Sequence, residues 1–212
     1  MNWHHVVMDL PDDLALPLER GAPWWYWTGG RPAIDFVNTF RERWWRQVET
    51  LVTDDDLAEW FVAARVLPEP PRIGPGLLFR ARELREHIDA GMVAAIDGEP
   101  VPEATRVAIA RELPSAVRPD ELVREPGGTL VLRPAAPEHP AAHGLGLVAR
   151  DAAKMFTAEQ AGRIRICASD TCSGRFFDRS PAAVRRYCSP AGCGNVEKAR
   201  RHRRRRREEQ PS

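Results

Sequence analysis

Four cysteines within 27 residues, and none anywhere else in the 212-residue chain, limit most strongly what this sequence can fold into. Cys167, Cys172, Cys188 and Cys193 form two C-x4-C pairs separated by 15 residues. Two such pairs can converge on one tetrahedral zinc ion, whose preferred structural ligands are thiolates. Disulfides would need an oxidising compartment, and the first 13 residues lack the basic start and apolar block of a secretory signal. A redox switch on the same four thiols stays open. Four protein ligands leave no open coordination position, and no nearby His or Glu offers a base, so the zinc is expected to be structural rather than catalytic.

The charge is divided in the same way. The whole chain carries only +1, but residues 163–212 hold 14 Lys and Arg against five acids, or +9, and the rest hold 17 against 25, or −8. An acidic body with a basic end points to a polyanion-binding appendage. Apolar residues at 43% and charged residues at 29% exclude wholesale disorder. No apolar run approaches the roughly 18 residues of a membrane helix, so no membrane partner is expected and the expected location is cytoplasmic.

Along the chain, residues 1–23 read as a leader, 24–160 as a helix-rich domain, 163–207 as the cysteine module with a basic helix, and 208–212 as a tail. Thr53 to Asp56 makes a capping-box start to a helix that Pro68 closes. Residues 76–97 carry Leu77, Phe79, Leu84, Ile88, Met92 and Ile96, largely three to five apart, and stop at Gly98. Further helices are expected over 102–112 and 141–156. Leu122–Glu125 and Thr129–Leu132 flank Pro126-Gly127-Gly128 and predict a hairpin. Ala33–Thr39 is too short for periodicity to separate strand from helix entry. Arg163–Cys167 reads as a strand. The fold class is therefore α+β, mainly α.

Beyond Asn195 good helix formers dominate, and the chain runs through Lys198 and Arg200 into Arg203–Arg207. Cys193, Val196 and Ala199 could form a narrow stripe against the module, with Lys198, Arg201, Arg204 and Arg205 outside. Like charges at this density oppose an isolated helix, and phosphates relieve that repulsion. Nucleic acid is the expected partner, and Asn195, Lys198, Arg200, Arg201, Arg203, Arg204 and Arg205 are the candidate contacts. A solvated basic tail is the plain alternative.

The pattern Arg165-x-Cys167, Cys172, Phe176-Phe177-Asp178, Arg185-Arg186-Tyr187-Cys188-Ser189, Cys193-Gly194-Asn195 and Lys198-Ala199-Arg200-Arg201-His202 resembles the CGNR zinc finger. Arg31-Pro32-Ala33-Ile34-Asp35-Phe36-Val37-Asn38-Thr39 is similar to the opening signature of the ABATE-type domain that accompanies this finger. The resemblance implies a bacterial, stress-linked transcription regulator. It also implies a small treble-clef-like module with four cysteine ligands to zinc, and a following helix that contacts DNA. The Arg that gives the finger its name is Val196 here.

Asp35, Asn38 and Thr39 lie beside apolar residues and tryptophans, a mix that could line a small-molecule pocket, although such residues commonly cap helices and satisfy turns. No nucleophile–base pair or phosphate-cradling glycine loop is visible, so the chain is expected not to be an enzyme. The competing readings are an enzyme or ligand-binding body with the finger as a targeting or dimerisation device, and an RNA-binding protein. Homodimerisation and an unidentified effector are left open.

Overall fold

The computed structural model describes residues 25–44 and 46–208, without the side chains of 207 and 208. The expected leader at 1–23 and most of the tail lie outside the described residues. About 49% of the chain is helical, with three small two-stranded sheets, so the α+β, mainly α reading holds.

The Ala33–Thr39 run resolves as a helix. Pro32 opens α1 (Pro32–Val37), where proline's fixed φ costs nothing in the first turn. Asp151 takes the Ala33 N–H at 3.0 Å. The chain then makes two short strands that the sequence did not announce, β1 (Phe40–Arg41) paired antiparallel with β2 (Val48–Glu49). Thr53 caps α2 (Asp54–Ala63) with the complete capping box expected. This helix ends before Pro68 because Arg65 turns into the left-handed region at φ 56°.

The long α3 (Leu77–Asp97) is bracketed by Gly76 and Gly98, both at positive φ. It leads to α4 (Glu103–Glu112) and a 3-10 turn (Leu113–Ala116). The hairpin of β3 (Asp120–Arg124) and β4 (Leu130–Pro134) turns on the expected glycines, pairing Leu122 with Leu132. α5 (Pro140–Met155) runs back through the centre, followed by the single turn α6 (Ala158–Ala161). Gly146 lets α5 touch the 3-10 turn: a Cβ there would meet the Ala116 nitrogen at 2.5 Å.

α1 packs across α3 and α5, and the core is built from Ile34, Phe36, Trp60, Phe61, Leu84, Ile88, Met92, Leu145 and Val148. Ile164 and Phe177 belong to the same core. They come from β5 (Ile164–Ile166) and β6 (Arg175–Phe177), an antiparallel pair that begins the cysteine module. The module is thus built onto the body. The Phe177 N–H donates to the Gly29 carbonyl at 2.8 Å, and β6 packs on α1. Arg175 pairs with Asp89 of α3 at 2.7 Å. No helix among the described residues is long and apolar enough to cross a membrane.

Candidate metal centre and basic helix

β5 delivers Cys167, the loop before β6 carries Cys172, and Cys188 follows a second loop after β6. Cys193 sits in the tight turn Pro190–Gly194, immediately before α7 (Asn195–Glu208). Ser189 fixes that turn: its Oγ accepts the Gly192 N–H at 3.0 Å and its carbonyl accepts the Gly194 N–H at 2.9 Å. The four sulfurs all lie within 4.8 Å of one another.

These distances fit zinc. A tetrahedron with Zn–S bonds of about 2.3 Å spaces its sulfurs about 3.8 Å apart. Cys172 and Cys188 stand 3.8 Å apart, and Cys188 and Cys193 3.7 Å. Backbone N–H groups already point at sulfur, from Gly174 to Cys172 at 3.3 Å and from Cys188 to Cys167 at 3.5 Å. Such donors favour thiolate, the form that binds metal. Sulfurs this close cannot all be anionic without a cation. Hydrogen bonds from Cys172, Cys188 and Cys193 hold the Cys167 thiol far below its ordinary range, while the contacts with Cys167 and Cys172 push Cys188 far above it. A divalent ion removes that conflict and deprotonates all four.

The arginines that flank the cysteines in sequence serve the loops rather than the sulfurs. Arg163 donates to the carbonyls of Asp178 and Ser180. Arg165 reaches Ala183 O, and Arg185 donates to the carbonyls of Tyr187 and Cys188 while its guanidinium lies 4.8 Å from the Phe176 ring centre. Asp178 is fully buried and accepts the N–H groups of Ser180 and Arg185, which shapes the loop ahead of Cys188. Sequence reasoning had it only as part of a motif. Its value comes from two backbone contacts that no spacing rule shows.

α7 is seated differently from the apolar stripe expected of it. Val196 and Ala199 are exposed, and Glu197 and Arg200 face the finger instead. Ser169 donates to Glu197 at 2.8 Å, Arg200 pairs with Glu197 at 2.7 Å, and Arg200 reaches the Thr171 hydroxyl at 3.4 Å. The cysteine loop offers hydroxyls to the helix, so a polar face docks there. Of the candidate contacts, Asn195, Lys198, Arg201, Arg203, Arg204 and Arg205 are exposed, while Arg200 is committed within the chain.

Asp35, Asn38 and Thr39 do not converge on one cavity. Asp35 accepts the Gly29 N–H at 2.8 Å. Its carboxyl is pushed up to about 7, mainly by burial; the Gly29 N–H opposes this, Asp151 adds to it and Arg179 opposes it. Asn38 clasps the finger, donating to the Arg175 carbonyl and accepting the Arg175 N–H, both at 2.9 Å. The buried Thr39 hydroxyl donates to Phe36 O at 2.6 Å and accepts from Arg85, which is also held by both oxygens of Glu49. Two cavities stand out, one of about 810 Å³ beside α5 and one of about 380 Å³ beside the finger; Asn38 lines the second, and Asp35 and Thr39 line neither.

Comparison with known families gives two matches. Residues 163–206 match the CGNR zinc finger, and residues 30–159 match the ABATE family, described as a putative stress-induced transcription regulator. No curated protein sequence matches the chain. Because the ABATE match spans more than half of its length and the finger follows directly, the chain belongs to the ABATE family and ends in a CGNR zinc finger whose four cysteines hold a structural zinc ion.

Proposed function

We propose that this protein is a zinc-dependent, DNA-binding transcription regulator without catalytic activity, in which the finger presents α7 to phosphates and the ABATE body carries and orients the finger. The observation that carries the reading is a contrast in how the arginines are used. Most of those in the body are paired, among them Arg31 with Asp151, Arg43 with Glu86 and Asp89, Arg80 with Glu112 and Arg85 with Glu49, and the exceptions are scattered rather than aligned on one helix. On α7, Lys198, Arg201, Arg203, Arg205 and Arg206 are exposed and make no ion pair with the described residues. An array of cations with no acids to satisfy it is the electrostatic footprint of a phosphate-binding element.

The test is the salt dependence of binding to a DNA duplex, followed by fluorescence anisotropy. If these five cations each neutralise one phosphate, log K falls against log salt with a slope of about −4.5. Arg201→Ala should lower that slope by about 1, whereas a flat salt dependence removes phosphate contact from the proposal. Competition at fixed salt by structured RNA measures the alternative partner: RNA that displaces DNA at lower concentration than unlabelled duplex reassigns α7 to RNA.

A further inference from the structure

The cavity of about 380 Å³ lies between β1 and the finger and falls within the size range of small-molecule sites. Tyr26, Thr28 and Phe40 wall it from the body, Ser173, Ser189 and Val196 from the finger. Cys172, Cys188 and Cys193 line it as well, so part of this volume belongs to the zinc.

Arg41 of β1 also lines this cavity and is only 7% exposed. Its guanidinium carbon lies 4.2 Å from the Tyr26 ring centre. Its Nη1 is buried with no hydrogen-bond partner among the described residues. Tyr26 hydrogen-bonds the side chain and Glu42 attracts it, but no carboxylate grips Nη1, because both oxygens of Glu42 are held by Arg46. The other deeply buried guanidiniums, those of Arg85 and Arg175, each hold a carboxylate through two nitrogens. A buried guanidinium nitrogen that no anion grips costs stability, and such a cost is tolerated where function requires it.

The backbone beside Arg41 is also strained. Glu42 sits at φ 52° and Gln47 at φ 53°, in the left-handed region that residues with side chains rarely occupy. Strain of this kind collects at ligand sites. The Thr28 hydroxyl, on the same wall, makes no hydrogen bond with the described residues and offers a second donor.

We propose that this cleft binds a small organic carboxylate, its anionic end taken by Arg41 and Thr28 and its apolar body by Tyr26, Phe40 and Val196. A planar carboxylate suits the guanidinium fork. An inorganic anion would leave the apolar walls without contact. The inference is independent of what α7 binds. Its consequence for the molecule is a link between modules, since a ligand here touches body and finger at once.

Benzoate serves as the probe for the zinc-loaded full-length protein, with benzamide as the uncharged isostere and inorganic phosphate as the bare anion. Benzoate at about ten times its Kd should raise Tm by roughly 3–6 °C, and benzamide and phosphate should leave it unchanged. Arg41→Gln removes the buried charge; this variant should keep its zinc, melt no lower than the wild type without benzoate, and lose the benzoate shift. Equal shifts from benzamide or phosphate, no shift with benzoate, or a shift that survives in Arg41→Gln would each overturn the proposal. The comparison of benzoate with benzamide needs only the wild type, so it decides the question even if the variant does not fold.

Discussion

Replacing Asp35 by Asn should make this protein more stable at neutral and alkaline pH while leaving its stability below about pH 4 almost unchanged. The Asp35 carboxyl titrates at about 7 in the folded chain against an ordinary value of 3.8. Between those two values the native state keeps a proton that the unfolded state has released. Stability therefore falls as pH rises through that window and stays at the lower level above it. At about 1.4 kcal/mol per pH unit, a window of about three units gives an upper bound of about 4 kcal/mol. Asn carries no charge to desolvate, and its side-chain oxygen can still accept the Gly29 N–H.

The assay is urea unfolding of both proteins, zinc-loaded, from about pH 5 to about pH 8. Zinc thiolates add a pH dependence of the opposite sign, but it is common to both proteins and cancels in the difference. That difference should be about 1.5 kcal/mol at the acid end, grow towards about 4 kcal/mol near pH 7 and level off above it. A variant that is less stable than wild type by the same amount at every pH would refute the reasoning, because the carboxylate would then be a net stabilising partner rather than a desolvated charge.

Other perturbations follow from contacts already described. Asn38→Ala strips both hydrogen bonds from the Arg175 backbone, at a cost of about 1–3 kcal/mol for each buried group left bare; hydrogen exchange at the Arg175 amide should speed up while zinc stays bound. Gly146→Ala drives a Cβ into the backbone of the 3-10 turn and should cost about 1–3 kcal/mol or more in thermal unfolding, whereas Gly162→Ala, with nothing within 4 Å of the new Cβ, should be nearly silent. Cys193→Ser should lower zinc stoichiometry and abolish salt-dependent DNA binding together; unchanged metal content would reject Cys193 as a ligand.

The features legible in the sequence were those written in short range. The capping box at Thr53, the stop at Gly98 and the Gly127-Gly128 turn each depend on a few adjacent residues, and each appears in place. The four zinc ligands were legible because metal coordination restricts residue type and spacing together. Long-range contacts left no such trace. Asn38 and Arg175 are 137 positions apart, and nothing in either segment announces that an amide beside a helix end will clasp a strand of the finger. The apolar stripe assumed for α7 failed for a related reason. Glu197 and Arg200 dock because the loop of Ser169 and Thr171 lies beneath them, and that loop is positioned only once zinc and β6 have closed the fold.

The double clasp of Asn38 on Arg175 and the bond from Phe177 to Gly29 make the finger a fixture rather than a cassette. Transplanting residues 163–206 onto another carrier would leave Phe177 exposed and the Arg175 backbone without its receptor, so a graft must bring Gly29, Asn38 and Asp89 with it. The same fixture sets the bearing of α7. Its direction is read from the body, as a needle is from its dial, and any torque applied to α1 or β1 would be delivered at the arginines.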